Sequence, residues 1–142
     1  MISVVIPTYN EAAVIAQTLR RSAAALERVG EEFELIVVDD SSSDGTAELA
    51  ESLAAEFPVR VLRRPGRLGL ATAVIAGWAM ARGDLLAVMD ADLQHPPEVL
   101  SELVKVLRRP GTDLALASRY TSAGGIPEWS LIRRFISWGA TQ

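Results

Sequence analysis

The stretch Leu85–Pro97, LLAVMDADLQHPP, decides the fold. Leu85 to Met89 form an apolar run that reads as a buried strand with no polar face. Asp90, Ala91, Asp92, Leu93 and Gln94 follow, where that strand must end. In an extended chain, side chains alternate, so Asp90, Asp92 and Gln94 are expected to share one side. Two carboxylates and an amide oxygen so placed suit a hard cation such as Mg²⁺ or Mn²⁺. Pro96 and Pro97 stop the extended run, and Pro97 suits the first turn of a helix.

An isolated Asp-x-Asp is more often a pair of solvated loop carboxylates. The buried strand before this one changes the reading, because open α/β sheets bind ligands beyond the carboxyl ends of their strands. A second acidic strand end lies earlier, at Asp39 and Asp40 after Phe33–Val38. A third apolar run, Ile2 to Ile6, ends in Pro7-Thr8-Tyr9-Asn10-Glu11. If these strands are neighbours, their ends face one crevice. A carboxylate there can accept hydrogen bonds from a base N–H or a ribose hydroxyl, and Tyr9 can pack on a base. Equally, Tyr9 can be a lid on the core and Asn10 a turn residue.

Helical spacing separates the strands. Val14, Ile15, Leu19, Ala23, Leu26 and Val29 recur with a helical period after Glu11, and Gly30 is a natural stop. Ser43 or Asp44 can cap a helix from about Thr46 to Phe57. Val59–Leu62 is a short third strand and Arg63–Gly69 a basic turn-rich loop. Helices are expected at about 70–81 and 97–108, and a fifth strand at Leu114–Ala117 before Ser118, Arg119 and Tyr120. A last helix starts near Ser130. This alternation predicts an α/β domain, a mostly parallel sheet with helices on both faces.

Composition narrows the chemistry. The chain has 142 residues, 49% of them hydrophobic, with a net charge of −4, no cysteine and one histidine, His95. That is one globular domain, with nucleic acid disfavoured as a partner and thiolate zinc sites excluded. No G-x-G-x-x-G follows the first strand and no P-loop lysine pattern is present, which disfavours a nicotinamide-binding Rossmann domain and a P-loop NTPase. No apolar run approaches the roughly 18–20 residues that span a bilayer, and no secretory leader precedes the first strand, so a cytoplasmic location is expected.

Late in the chain Arg133 and Ser137 stand at i and i+4 and share a helix face, and Arg119 follows the fifth strand. Two arginines and a hydroxyl converging on one spot bind a phosphate well, although each is also an ordinary surface residue. Trp129, Leu131, Ile132, Phe135, Ile136 and Trp138 fit either a core-packing helix or one lying in a membrane interface.

The stretches IPTYNEA, VVDDSSSDGT, GLATAVIAGW, VMDADLQHPPEV, ASRY and GGIPEWSLIRRFIS occur in one order over nearly the whole chain. Together they resemble glycosyltransferase family 2 enzymes of the GT-A fold, in particular the polyprenol-phosphate (dolichol-phosphate) mannose synthase branch. The resemblance implies that Pro7, Tyr9, Glu11, Val38 and Asp40 hold the donor nucleoside. It implies that Asp90, Asp92 and Gln94, with Ala91 beside them, hold Mg²⁺ or Mn²⁺ and the donor diphosphate. Arg119, Arg133 and Ser137 take the acceptor phosphate, with Asp92 and Arg119 as the catalytic pair. The implied reaction is inverting transfer of mannose from GDP-mannose to a polyprenyl or dolichyl phosphate, at the cytoplasmic face of a membrane. A UDP-glucose donor and a catalytically weak binding remnant are the alternatives. Family members continue with a further strand and helix, so residues 1–142 are expected to be a single GT-A domain covering roughly the first two thirds of the catalytic domain. A membrane-spanning partner or further segment is expected to complete it.

Overall fold

The structure is a computed structural model, and it describes residues 1–118. The elements run β1 (Ile2–Thr8), α1 (Ile15–Glu27), β2 (Phe33–Asp39), α2 (Thr46–Ser52), β3 (Val59–Arg63), α3 (Leu70–Met80), β4 (Leu85–Val88) and α4 (Val99–Leu107). A single 3-10 turn, Leu53–Ala55, extends α2. The strands form one parallel sheet in the order β3-β2-β1-β4. Both neighbours of β1 are reached by crossover connections through helices, as parallel pairing requires.

Alternation along the strands sorts side chains to two cores. Val4 and Ile6 of β1 and Leu35 and Val37 of β2 face α1, α2 and α4, meeting Ile15, Leu19, Ala50, Leu100 and Val104. Val5, Ile36 and Val38 face the other way, onto Ala73 of α3. The α/β fold with helices on both faces is therefore as the pattern predicts. On the α1 stripe, Ile15, Leu19, Ala23 and Leu26 are all buried.

Helix α3 lies unusually close to the sheet. A β-carbon at Gly77 would fall 2.5 Å from Val5 Cγ1 and 3.1 Å from Val38 Cγ2. Glycine is required there to let the backbone approach. Beneath the start of β4, Glu34 is buried and accepts hydrogen bonds from Ser3 Oγ (2.7 Å), Arg60 Nη1 (2.9 Å) and the Arg82 backbone N–H (2.7 Å). Burial alone would raise its pKa; these donors outweigh burial and hold it below the usual value.

Three expectations are corrected. First, β4 is half-buried rather than enclosed. Leu86 and Val88 are 46% and 41% exposed, because α3 covers β1 and β2 and β4 is the sheet edge among the described residues. Second, Leu114–Ala117 is not a strand. It has no ladder partner among the described residues, and Leu114 and Leu116 are 72% and 78% exposed. Third, the residues after β4 do not stay extended, as described below.

Candidate functional site

The site is the carboxyl edge of the sheet, where the loops after β1, β2, β3 and β4 meet. The β1–α1 loop is laced to the β2–α2 loop by backbone N–H groups. Asn10 N–H donates to Ser42 Oγ (2.8 Å), Glu11 N–H to Thr46 Oγ1 (2.9 Å) and Ala12 N–H to Asp44 Oδ2 (2.9 Å). In return, Ser43 N–H donates to Asn10 Oδ1 (3.0 Å). Asn10 sits in the left-handed region at φ 56°, which asparagine tolerates better than most residues. The turn-residue reading of Asn10 is therefore right. Asp44 serves the start of α2 by accepting the Thr46 N–H at 3.1 Å, while the cap position itself is Gly45 at φ 89°.

The two aspartates ending β2 are buried and have structural partners. Asp39 accepts from Thr8 Oγ1 (3.0 Å), Ser42 Oγ (2.5 Å) and Ser42 N–H (2.9 Å). Asp40 accepts Arg64 Nε at 2.5 Å on Oδ1, and the Leu68 and Gly69 N–H groups at 2.9 and 3.1 Å on Oδ2. Arg64 is itself buried and also donates to Thr72 Oγ1 and the Gly69 carbonyl. One carboxylate thus anchors the whole Arg63–Gly69 loop over the end of β2. The Val38 side chain packs toward Gly77 of α3.

Beyond β4 the chain turns. Ala91 and Asp92 form a turn, Leu93 is left-handed at φ 60°, and Asp92 Oδ1 accepts the Gln94 N–H at 3.0 Å. Asp90 and Asp92 are solvent-facing, whereas Ala91 between them is buried. Its carbonyl accepts a hydrogen bond of 2.7 Å from Thr18 Oγ1 of α1. The acidic pair is therefore presented by an anchored turn, and the expected extended alternation is replaced by a backbone reversal at Leu93.

Glu11 faces the same space. Its pKa is raised, first by burial and then by the charges of Asp92, Asp44 and Asp90. A carboxylate whose pKa is raised by neighbouring negative charge marks a place that favours a cation. Among the described residues no group of three or more His, Asp or Glu gathers closely enough to hold a metal unaided. Two open carboxylates and an amide are nonetheless what Mg²⁺ or Mn²⁺ takes when substrate phosphates complete its shell. The residues present fit such an ion.

Tyr9 is 40% exposed at the end of β1, and the Arg67 guanidinium carbon lies 4.4 Å from its ring centroid. Arg119, Arg133 and Ser137 lie outside the described residues. Sequence reasoning missed Thr18, Ser42 and Arg64. Thr18 had a faint signal, a polar residue within the apolar stripe of α1; Ser42 and Arg64 had none.

These features define a parallel α/β domain with an acidic turn at one strand end and an exposed aromatic at the next. The chain belongs to glycosyl transferase family 2, whose model matches residues 3–141. It is 45% identical over 139 residues to a dolichol-phosphate mannosyltransferase from Pyrococcus furiosus, covering 98% of this chain and 39% of the relative. It is 42% identical over 141 residues to an undecaprenyl-phosphate mannosyltransferase from Micrococcus luteus, covering 96% of this chain and 56% of the relative. The chain thus spans between 39% and 56% of the length of these two relatives. Among solved structures, it is similar to the mannosyltransferase PcManGT from Pyrobaculum calidifontis in complex with GDP-Man and Mn²⁺. That match has a TM-score of 0.65 at 28% identity, covering 77% of this chain and 32% of the other.

Proposed function

We propose that this chain carries the donor- and metal-binding part of an enzyme that transfers mannose from GDP-mannose to a polyprenyl or dolichyl phosphate. The observation that carries the reading is the anchored Asp90–Asp92 turn beyond β4, next to the end of its neighbour β1, which leads into Tyr9 and Glu11. The names of the relatives supply the lipid phosphate, and the solved neighbour supplies the donor and a Mn²⁺ ion.

In this reading Asp90, Asp92 and Gln94 hold Mg²⁺ or Mn²⁺ together with the donor diphosphate. When bound, that ion supplies Lewis-acid stabilisation of the departing diphosphate. Tyr9 and Pro7 line the nucleoside, and Asp40 and Val38 act from below, Asp40 through the loop it anchors. Arg119, Arg133 and Ser137 grip the acceptor phosphate and offset its repulsion from the donor. The nucleophile is a phosphate oxygen, already anionic at pH 7, so a strong general base is not required. Attack opposite the leaving group gives inversion, and an α-linked donor yields a β-linked lipid phosphosugar. A lipid-phosphate acceptor brings this reading to a membrane surface, on the cytoplasmic side where nucleotide sugars are supplied.

The test is sugar transfer from labelled GDP-mannose and UDP-glucose to a short polyprenyl phosphate, with Mn²⁺, Mg²⁺ or EDTA. EDTA-sensitive formation of a β-mannosyl phospholipid from GDP-mannose is expected. Transfer from UDP-glucose in preference, or transfer undiminished by EDTA, overturns the reading.

A further inference from the structure

The turn that carries Asp90, Asp92 and Gln94 is tied to α1 at two points. It begins on the sheet, where Met89 N–H donates to the Val5 carbonyl of β1 at 3.0 Å. Its Ala91 carbonyl is held by Thr18 Oγ1 of α1. Beyond Gln94 stands Glu98, and the Arg21 guanidinium of α1 grips it with two hydrogen bonds. Arg21 Nε donates to Oε1 at 2.8 Å and Nη2 to Oε2 at 2.7 Å. Thr18 and Arg21 are three residues apart, so they stand on one face of α1. Both anchors therefore come from one rigid element, and the solvent-facing Asp92 and Gln94 lie on the span between them.

The second half of that span is stiff. His95, Pro96 and Pro97 separate Gln94 from Glu98. Each proline ring locks its own φ, and each restricts the residue before it. Pro97 is buried, and the Pro96 and Pro97 carbonyls accept the Val99 and Leu100 N–H groups at 3.1 and 3.0 Å, which fixes the entry to α4. A shift of Glu98 is therefore passed back toward Gln94 and Asp92, since few free torsions remain to absorb it. The ion pair itself is partly exposed, and such pairs add little to global stability. Its effect is directional, because a forked guanidinium–carboxylate pair fixes both distance and angle.

We propose that Arg21 and Glu98 are a positioning pair for the acidic turn, holding its far end to α1 so that Asp90, Asp92 and Gln94 are spaced for a divalent cation before one binds. This rests on the reading given above, in which those three residues hold the metal. The two side chains act through the turn and not as ligands. Their charges are opposite, which separates position from plain electrostatics. Acting on a cation through space alone, loss of the Arg21 charge would tighten binding and loss of the Glu98 charge would weaken it. Acting through the geometry of the turn, either loss weakens binding, and the second loss adds little to the first.

The experiment is calorimetric titration of Mn²⁺, with GDP present, into the full chain and into Arg21→Gln, Glu98→Gln and the double variant. Thermal melts and amide hydrogen exchange are followed on the same proteins without metal. Each single substitution is expected to weaken Mn²⁺ binding about tenfold, as loss of a partner that orients a metal ligand does. The double variant should lie within about twofold of either single one. Exchange should quicken across residues 90–98 and stay unchanged in β1 and β2, with little change in Tm. Opposite shifts in Mn²⁺ affinity for the two single variants overturn the proposal in favour of a plain charge effect. Fully additive losses overturn it too, as does a lowered Tm with unchanged Mn²⁺ affinity; both leave the metal reading standing. Failure of the unaltered protein to bind Mn²⁺ with GDP present overturns the metal reading itself and this inference with it.

Discussion

Thr18 Oγ1, in the first turn of α1, donates a 2.7 Å hydrogen bond to the carbonyl of Ala91, the residue between the two aspartates of the acidic turn. Both groups are buried. A helix side chain far away in sequence therefore sets the height and tilt of Asp90 and Asp92. Replacing Thr18 with Val keeps the shape and leaves the Ala91 carbonyl without that donor. The expected cost is about 1–3 kcal/mol, read from urea denaturation, with weakened Mn²⁺-dependent nucleotide binding. Thr18→Ser should restore both. A Thr18→Val protein with full metal-dependent binding would show that the turn holds itself.

Asp40 and Arg64 form a buried ion pair that anchors the loop above β2. Removing one partner leaves the other buried and uncompensated. Asp40→Ala should cost about 3–5 kcal/mol, whereas the double variant with Arg64→Met should cost less than the two single losses added together. A double-mutant cycle in chemical denaturation checks this, and strict additivity would refute the coupling.

Acid should destabilise the fold through its depressed carboxylates. Glu34 is held low by donors that outweigh its burial. Glu98 is held low by Arg21, and Asp84 by the N-terminal ammonium and Arg108. Each has a folded pKa below its ordinary value, 4.5 for the glutamates and 3.8 for the aspartate. The stability they lend is fully present above those ordinary values and is lost as pH falls through the folded ones. Tm should therefore drop steeply below about pH 5, and Glu34→Gln should flatten that slope while lowering Tm at pH 7.

Glu11 carries the opposite sign. Its folded pKa is raised, by burial first and then by Asp92, Asp44 and Asp90. Above its ordinary value of 4.5 it opposes folding, and below that value the penalty disappears. Glu11→Gln should raise Tm at pH 7 and leave it nearly unchanged at pH 4. Equal shifts at both pH values would show that charge repulsion is not the cause.

In the proposed reading the acidic turn also sets the metal response. Asp92→Ala should reduce transfer by about a hundredfold or more, by analogy with loss of a group stabilising a leaving anion. It should also abolish the Mn²⁺-induced rise in Tm that is expected with GDP present. A fully active, Mn²⁺-responsive Asp92→Ala chain would remove Asp92 from the site.

Much of this architecture is visible in the linear chain. Apolar runs that end in Tyr9-Asn10-Glu11, Asp39-Asp40 and Asp90-Ala91-Asp92 mark strand ends, because a buried strand can release charge only where it leaves the sheet. The α1 stripe is legible because a helix buries residues at a fixed period. Leu114–Ala117 misleads for the same reason: its apolar content fits a strand, yet strand formation needs a partner edge, and none is paired to it among the described residues.

The sequence by itself determined the four strands and four helices found among the described residues, where charge gathers, and the family to which the chain belongs. Only the tertiary structure decided that β1 lies between β2 and β4, so that Glu11 and the Asp90–Asp92 turn share one edge of the sheet. The same is true of Asp40 turning toward Arg64, Thr18 anchoring Ala91, and Arg67 resting on Tyr9. The division has a physical cause. Periodicity and strand ends are local properties, set by backbone geometry and the cost of burying polar groups. Two of the site's hydrogen bonds join residues 24 and 73 positions apart, Asp40–Arg64 and Thr18–Ala91, and such contacts exist only once strand order has brought four loops to one edge.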